Sequence, residues 1–96
     1  MSKRTNAKHI VVEGKVQGVF FRKNTKQKAQ ELNIAGWVKN TNDDKVEILA
    51  LGNAEDLSKF ISWCSEGPPK AVVTNIQVKE IETKNEMKEF SILYED

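Results

Sequence analysis

The residues Gly14-Lys15-Val16-Gln17-Gly18-Val19-Phe20-Phe21-Arg22 have the types and spacing that anion chemistry needs. A glycine stands near each end of a short loop, and an arginine closes it. Gly14 and Gly18 permit the backbone angles that turn consecutive N–H groups toward one point. The stretch before the loop alternates like a strand and the stretch after it has helical spacing. The loop donors and the positive end of the next helix therefore converge on a phosphate-sized anion. Arg22 sits where the loop enters the helix, and Arg4 is the only other arginine. A planar guanidinium at that junction can take two phosphate oxygens at once, which a lysine cannot. On the loop alone, a surface arginine in an ordinary ion pair explains Arg22 equally well.

A second residue comes from the order of elements that must position the first. Lys8 to Gly14 reads as a strand, with Ile10 and Val12 on one face and His9, Val11 and Glu13 on the other. Phe21 to Leu32 reads as a helix whose Phe21, Thr25, Ala29 and Leu32 share a face, and Asn33 can end it in a left-handed conformation. Ala35–Thr41 and Val46–Leu51 read as a hairpin around Asn42-Asp43-Asp44-Lys45. Asn53 caps a second helix with an apolar stripe of Ala54, Leu57, Phe60, Ile61 and Cys64, stopped by Gly67-Pro68-Pro69. Ala71–Ile81 is a long strand, Glu82–Lys88 a polar turn, and Phe90–Tyr94 a final strand with Phe90, Ile92 and Tyr94 on one face. Trp37 and Trp63 belong to the core or its edge.

This order predicts an α+β, ferredoxin-like βαββαβ sandwich, with two helices on one face of a mainly antiparallel sheet. Its first two strands run the same way with the third between them, so their C-terminal ends share one edge. The anion loop follows the first strand and Asn40 ends the second, about 10 Å away across two strand spacings. An amide has donors and an acceptor, so Asn40 can hold a water and a substrate oxygen together. A capping or turn role before the hairpin is the alternative for Asn40.

Other chemistries lose support. Gly14-Lys15 is followed by Val16, so no nucleotide-binding P-loop is present, and no G-x-G-x-x-G or G-x-S-x-G occurs. No His, Cys and Asp cluster has metal-ligand spacing. His9 is the only histidine and is given no role; Cys64 is the only cysteine and reads as core, with no intrachain disulfide possible. A chain of 96 residues with 39% apolar and 30% charged residues suits one globular domain, here 8–96, after a flexible tail, 1–7. The net charge of +1 gives no global field toward nucleic acid. No apolar run approaches the roughly 18 residues of a membrane helix, and the polar N-terminus is no secretory signal. The expectation is a cytoplasmic monomer without nucleic-acid or membrane partners.

The motifs together resemble a known family. Gly14 to Arg22 resembles the acylphosphatase signature G-x-V-Q-G-V-x-F-R, and Gly36-Trp37-Val38-Lys39-Asn40 resembles its second motif, G-x-V-x-N. Gly67-Pro68-Pro69-Lys70-Ala71-Val72-Val73 and Phe90-Ser91-Ile92-Leu93-Tyr94 are similar to its later segments. The likeness spans about Lys8 to Tyr94. It implies hydrolysis of a small acyl phosphate to a carboxylate and inorganic phosphate, with no metal or other cofactor. It further implies that Arg22 and the amides of Lys15, Val16, Gln17, Gly18, Val19 and Phe20 bind the phosphoryl group. Asn40 would orient the attacking water, Thr41 would fix the Asn40 side chain, and the substrate phosphate would take the water's proton. Many family members have Asp-Gly in the hairpin turn where this chain has Asp43-Asp44, which leaves the turn type open.

Two rival readings are weaker. Small RNA-binding domains share the element order, but they stack bases on third-strand aromatics, and Val46-Glu47-Ile48-Leu49-Ala50-Leu51 offers no ring. A similar domain also occurs inside larger carbamoyl-transfer maturation proteins. The chain ends after one domain, which favours a free-standing enzyme.

Overall fold

Period-two alternation sets the first element of the computed structural model, which describes residues 6–82 and 87–94. In β1 (Asn6–Lys15), Ile10 and Val12 are fully buried while His9, Val11 and Glu13 are only partly covered. The strand starts earlier than the expected tail allows. Asn6 and Ala7 already pair with Gly52 and Leu51, and Ala7 is buried in a small cluster with Ala35 and Leu51. That apolar partner is remote in sequence, so spacing near Ala7 does not show that it belongs to the strand. Residues 1–5 lie outside the described residues.

Helical spacing sets the next. In α1 (Phe21–Glu31), Phe21, Thr25 and Ala29 are buried, and the Thr25 hydroxyl is satisfied by donating to the Phe21 carbonyl at 2.7 Å. Leu32 follows as the cap, and Asn33 takes the expected left-handed conformation at φ 58°. β2 (Ala35–Asn40) and β3 (Val46–Gly52) form the hairpin. Asp44 supplies the left-handed turn residue at φ 67°, so the turn forms without a glycine. α2 (Ala54–Glu66) is capped by Asn53, whose side chain accepts from the Asp56 N–H at 2.8 Å. Leu57, Phe60 and Cys64 are its buried stripe and Ile61 is half-buried. Ala54, expected on that stripe, is exposed: it lies in the first turn, outside the core cluster. Burial pushes the Cys64 thiol far above its ordinary range, which suits a packing residue rather than a nucleophile.

β4 (Val72–Ile81) and β5 (Phe90–Leu93) complete a sheet of order β4-β1-β3-β2-β5. Every neighbouring pair is antiparallel except β2 with β5. β1 and β2 are both antiparallel to β3, so they run the same way and end at one edge. α1 packs over β2 and β5, α2 over β4, β1 and β3, and both feed one core around Ile10, Val12, Val38, Ile48, Phe21 and Phe60. This is the ferredoxin-like α+β arrangement. The expected polar turn over Glu82–Lys88 falls mostly on 83–86, outside the described residues.

One glycine departs from its expected place. Gly14 is not in the loop but in β1, at a register shift against β4 between Glu13 and Gly14. Its φ is 126°, and a Cβ there would lie 2.1 Å from the Val72 carbonyl oxygen. The backbones meet at that point, so no side chain fits. Gly14→Ala is expected to lower stability by about 3 kcal/mol. Thermal denaturation would then show a melting temperature lower by on the order of 15 °C. An unchanged melting curve would mean that the bulge can open at no cost.

Candidate active site

The loop from Val16 to Phe20 is fixed on both sides of its glycine. Val16 and Val19 bury their side chains in the core. Gly18, between them, takes φ 74° with nothing within 4 Å of where a Cβ would sit, so backbone angle rather than space calls for glycine there. Gln17 points elsewhere. Its Nε2 donates to the carbonyls of Thr41 at 3.0 Å and Lys45 at 2.8 Å, clasping the loop to the β2–β3 turn. That turn is closed by Thr41 N–H to the Lys45 carbonyl at 2.9 Å.

The loop delivers an open helix end. Phe20 is the residue before α1, in a left-handed conformation at φ 63°, and its side chain makes no capping hydrogen bond. The first turn holds no acidic residue. The first N–H groups of α1 and its positive end are therefore available to an anion. Asn24 donates its Nδ2 to the Phe20 carbonyl at 2.8 Å, which steadies the junction without touching those donors.

Val16, Gly18, Phe20, Phe21, Arg22 and Lys23 line a pocket of about 260 Å³ together with Asn40, Ile92 and Tyr94. Arg22 and Asn40, placed side by side from topology, do share this pocket. The Asn40 Oδ1 is buried and has no hydrogen-bond partner among the described residues. An orphaned buried acceptor costs about 1–3 kcal/mol, which marks it as a group waiting for a donor. The Arg22 guanidinium carbon lies 5.0 Å from the centre of the Tyr94 ring, a cation–π contact that restrains the fork.

The side chains of other expected site residues lie outside the pocket lining, while the part expected of the loop residues Lys15, Gln17 and Val19 is that of their backbone amides. Lys15 belongs to β1, opposite Val72, and is exposed. Gln17 and Val19 serve as clasp and core anchor. The Thr41 hydroxyl is committed to the turn: it accepts from the Lys45 N–H at 3.0 Å and donates to the Asp43 carboxylate. Thr41 therefore shapes the hairpin that carries Asn40 rather than bonding the amide itself. The Thr41 hydrogen bond, with Lys45 close by, holds the Asp43 carboxyl below the usual carboxylate range.

Sequence reasoning passed over Ile92 and Tyr94 as site residues. Their signal was the alternation of the last strand. Its place beside β2 was not readable, and parallel pairing with β2 is what brings its C-terminal end to the same edge. Tyr94 follows β5 and is 73% exposed, unlike buried Phe90.

Comparison with known proteins agrees with this geometry. The acylphosphatase family model matches residues 8–92. An acylphosphatase of Methylococcus capsulatus is 44% identical over 85 residues, covering 88% of this chain and 92% of that protein. The crystal structure of the Bacillus subtilis acylphosphatase superposes with a TM-score of 0.89 at 40% identity, over 93% of this chain and 99% of that one. Full-length HypF, in a phosphate- and nucleotide-bound form, contains a similar portion: TM-score 0.84 and 35% identity over 100% of this chain, but only 13% of that protein. A model matched from the first strand to the last, and relatives covered almost end to end, make this chain a member of the acylphosphatase family, hydrolases of acyl phosphates.

Proposed function

We propose that the chain hydrolyses the carboxyl–phosphate bond of small acyl phosphates using only its own residues, without a metal. Arg22 and the amides of the Val16–Phe20 loop hold the phosphoryl oxygens, and Asn40 orients the attacking water. The water oxygen forms a bond to phosphorus as the bond from phosphorus to the acyl oxygen breaks. The electron pair leaves with the carboxylate, and a water proton passes to the phosphoryl group. Such a transfer needs positioning and charge stabilisation more than covalent help. The observation that carries the reading is the unpartnered, buried Asn40 Oδ1 in the pocket that Arg22 lines. A water donating to that oxygen would sit beside a phosphate held by Arg22.

Hydrolysis of benzoyl phosphate, followed with and without EDTA, tests the reading. The expected result is rapid turnover at the same rate in both. Turnover abolished by EDTA and restored by a divalent cation would overturn metal independence. Phosphate binding without turnover would favour a second reading, a retained anion pocket, for which the likeness to a portion of HypF speaks.

A further inference from the structure

A second pocket, of about 280 Å³, lies at the opposite end of the sheet from the anion site. It opens between the first half of α2, the start of β1 and the end of β4, and is lined by Lys8, Glu80, Ser58, Ala54, Leu57 and Ile61. Lys8 stands seven residues before Lys15 on β1, roughly 23 Å at the rise of a strand. The hydrolysis proposed above uses none of these residues.

The pattern of the core changes at this end. Alternation puts Lys8 on the same face of β1 as Ile10 and Val12, the face that the helices cover. Its partner on β4 is Glu80, and its partner on β3 is Ala50, which adds little volume. A lysine thus stands where the core row would continue with an apolar residue. On the helix side, Ala54, Leu57 and Ile61 share one face at spacings of three and four. Leu57 is buried, Ile61 half-buried and Ala54 exposed, so the apolar stripe of α2 runs out of the core and into this pocket.

The charges of the pocket come as a pair. The Lys8 ammonium lies 3.3 Å from a Glu80 carboxylate oxygen, and the two side chains are 23% and 74% exposed. The lysine is the more shielded, so a charge placed beside it is screened less than at an open surface. An ammonium has three donors and a carboxylate about four lone-pair sites, so both keep capacity for a ligand after pairing. A lone anion beside Lys8 meets the Glu80 carboxylate, and a lone cation beside Glu80 meets the ammonium. A molecule carrying both signs close together suits both. The volume lies near the low end for ligand sites, which fits a small molecule.

We propose that this pocket binds a zwitterionic apolar amino acid, with its carboxylate on Lys8, its ammonium on Glu80 and its aliphatic side chain on Ala54, Leu57 and Ile61. Each charge of the ligand faces its opposite, and the aliphatic chain takes the exposed end of the α2 stripe out of water.

Amide chemical shifts of the full chain, titrated with L-leucine, test the site. The expected shifts fall on Lys8, Glu80 and residues 54–61 and leave residues 16–22 unmoved. Isocaproate, which lacks the ammonium, and isoamylamine, which lacks the carboxylate, are expected to bind on the order of tenfold more weakly, the scale of one lost charged contact. Glu80 is exposed, so Glu80→Gln keeps the fold; it is expected to weaken L-leucine by a similar factor and to leave isocaproate unweakened. Lys8→Gln is expected to weaken both, with circular dichroism as the check on its fold. No shift at these residues up to the solubility limit of L-leucine would overturn the proposal. Equal binding of L-leucine and isocaproate would overturn it too, as would L-leucine binding that Glu80→Gln leaves unchanged. The readout is binding, so the result is independent of whether the chain hydrolyses acyl phosphates.

Discussion

Asn40→Ala is expected to lower kcat for acyl phosphate hydrolysis by on the order of 10²–10³, the usual loss for one preorganised polar group in a transition state. Its KM and its inhibition by inorganic phosphate should change little. The reason is the division of labour in the pocket. Asn40 ends β2, opposite Val46, and is held there by the ladder to β3. Its Oδ1 makes no hydrogen bond among the described residues, so removing it breaks no hydrogen bond seen there. In the proposed mechanism, what is lost is the orientation of a water relative to phosphorus, which matters in the transition state more than in the bound ground state. A loss confined to kcat is the signature of such an interaction. Steady-state kinetics with benzoyl phosphate, together with phosphate inhibition, separates the two. A variant with raised KM and native kcat would place Asn40 in binding and remove it from the chemistry.

Arg22→Gln should have a larger effect, a fall in kcat/KM on the order of 10³–10⁵, the range that an arginine stabilising a phosphoryl-transfer transition state supplies elsewhere. Unlike Asn40→Ala, it should also abolish inhibition by inorganic phosphate, because the charge and the two-pronged geometry go together. Arg22→Lys separates them. It keeps the charge but loses the fork and the flat face that meets Tyr94, and it is expected to recover little. Arg22 is on the first turn of α1, with its side chain at the pocket rather than in the core, so circular dichroism should not change. Activity of Arg22→Gln equal to that of the native chain would remove the guanidinium from the mechanism.

Much of this site was legible because its signals are local. The loop between strand and helix, the arginine at its end and the asparagine closing the next strand can all be read within short windows. Parallel β1 and β2 follow from topology alone, which is why Arg22 and Asn40 were expected in one pocket. What escaped depends on contacts between distant residues. Nothing near Gln17 in sequence shows that its amide reaches Thr41 and Lys45 rather than the anion. Gly14 carries the look of a loop glycine, but its constraint is the carbonyl of Val72 on another strand. Ala7 joins β1 only because Leu51 lies across from it. Thr41 neighbours Asn40 in sequence, yet its hydroxyl is taken by the turn. Tyr94 meets Arg22 only once β5 is known to lie beside β2.

The Gln17 clasp bears on how the pocket comes into being during folding. Its two hydrogen bonds span 24 and 28 residues of chain, and the loop they steady has no helix or ladder of its own across Gln17–Phe20. Closing such a span carries an entropic penalty that helix formation within α1 does not. A partly folded chain can therefore own both helices and still lack a phosphate site, because the loop amides have no fixed direction until the hairpin has closed on Gln17. Competence arrives with the last non-local contacts rather than with secondary structure. A collapsed but unclasped chain would bind no phosphate.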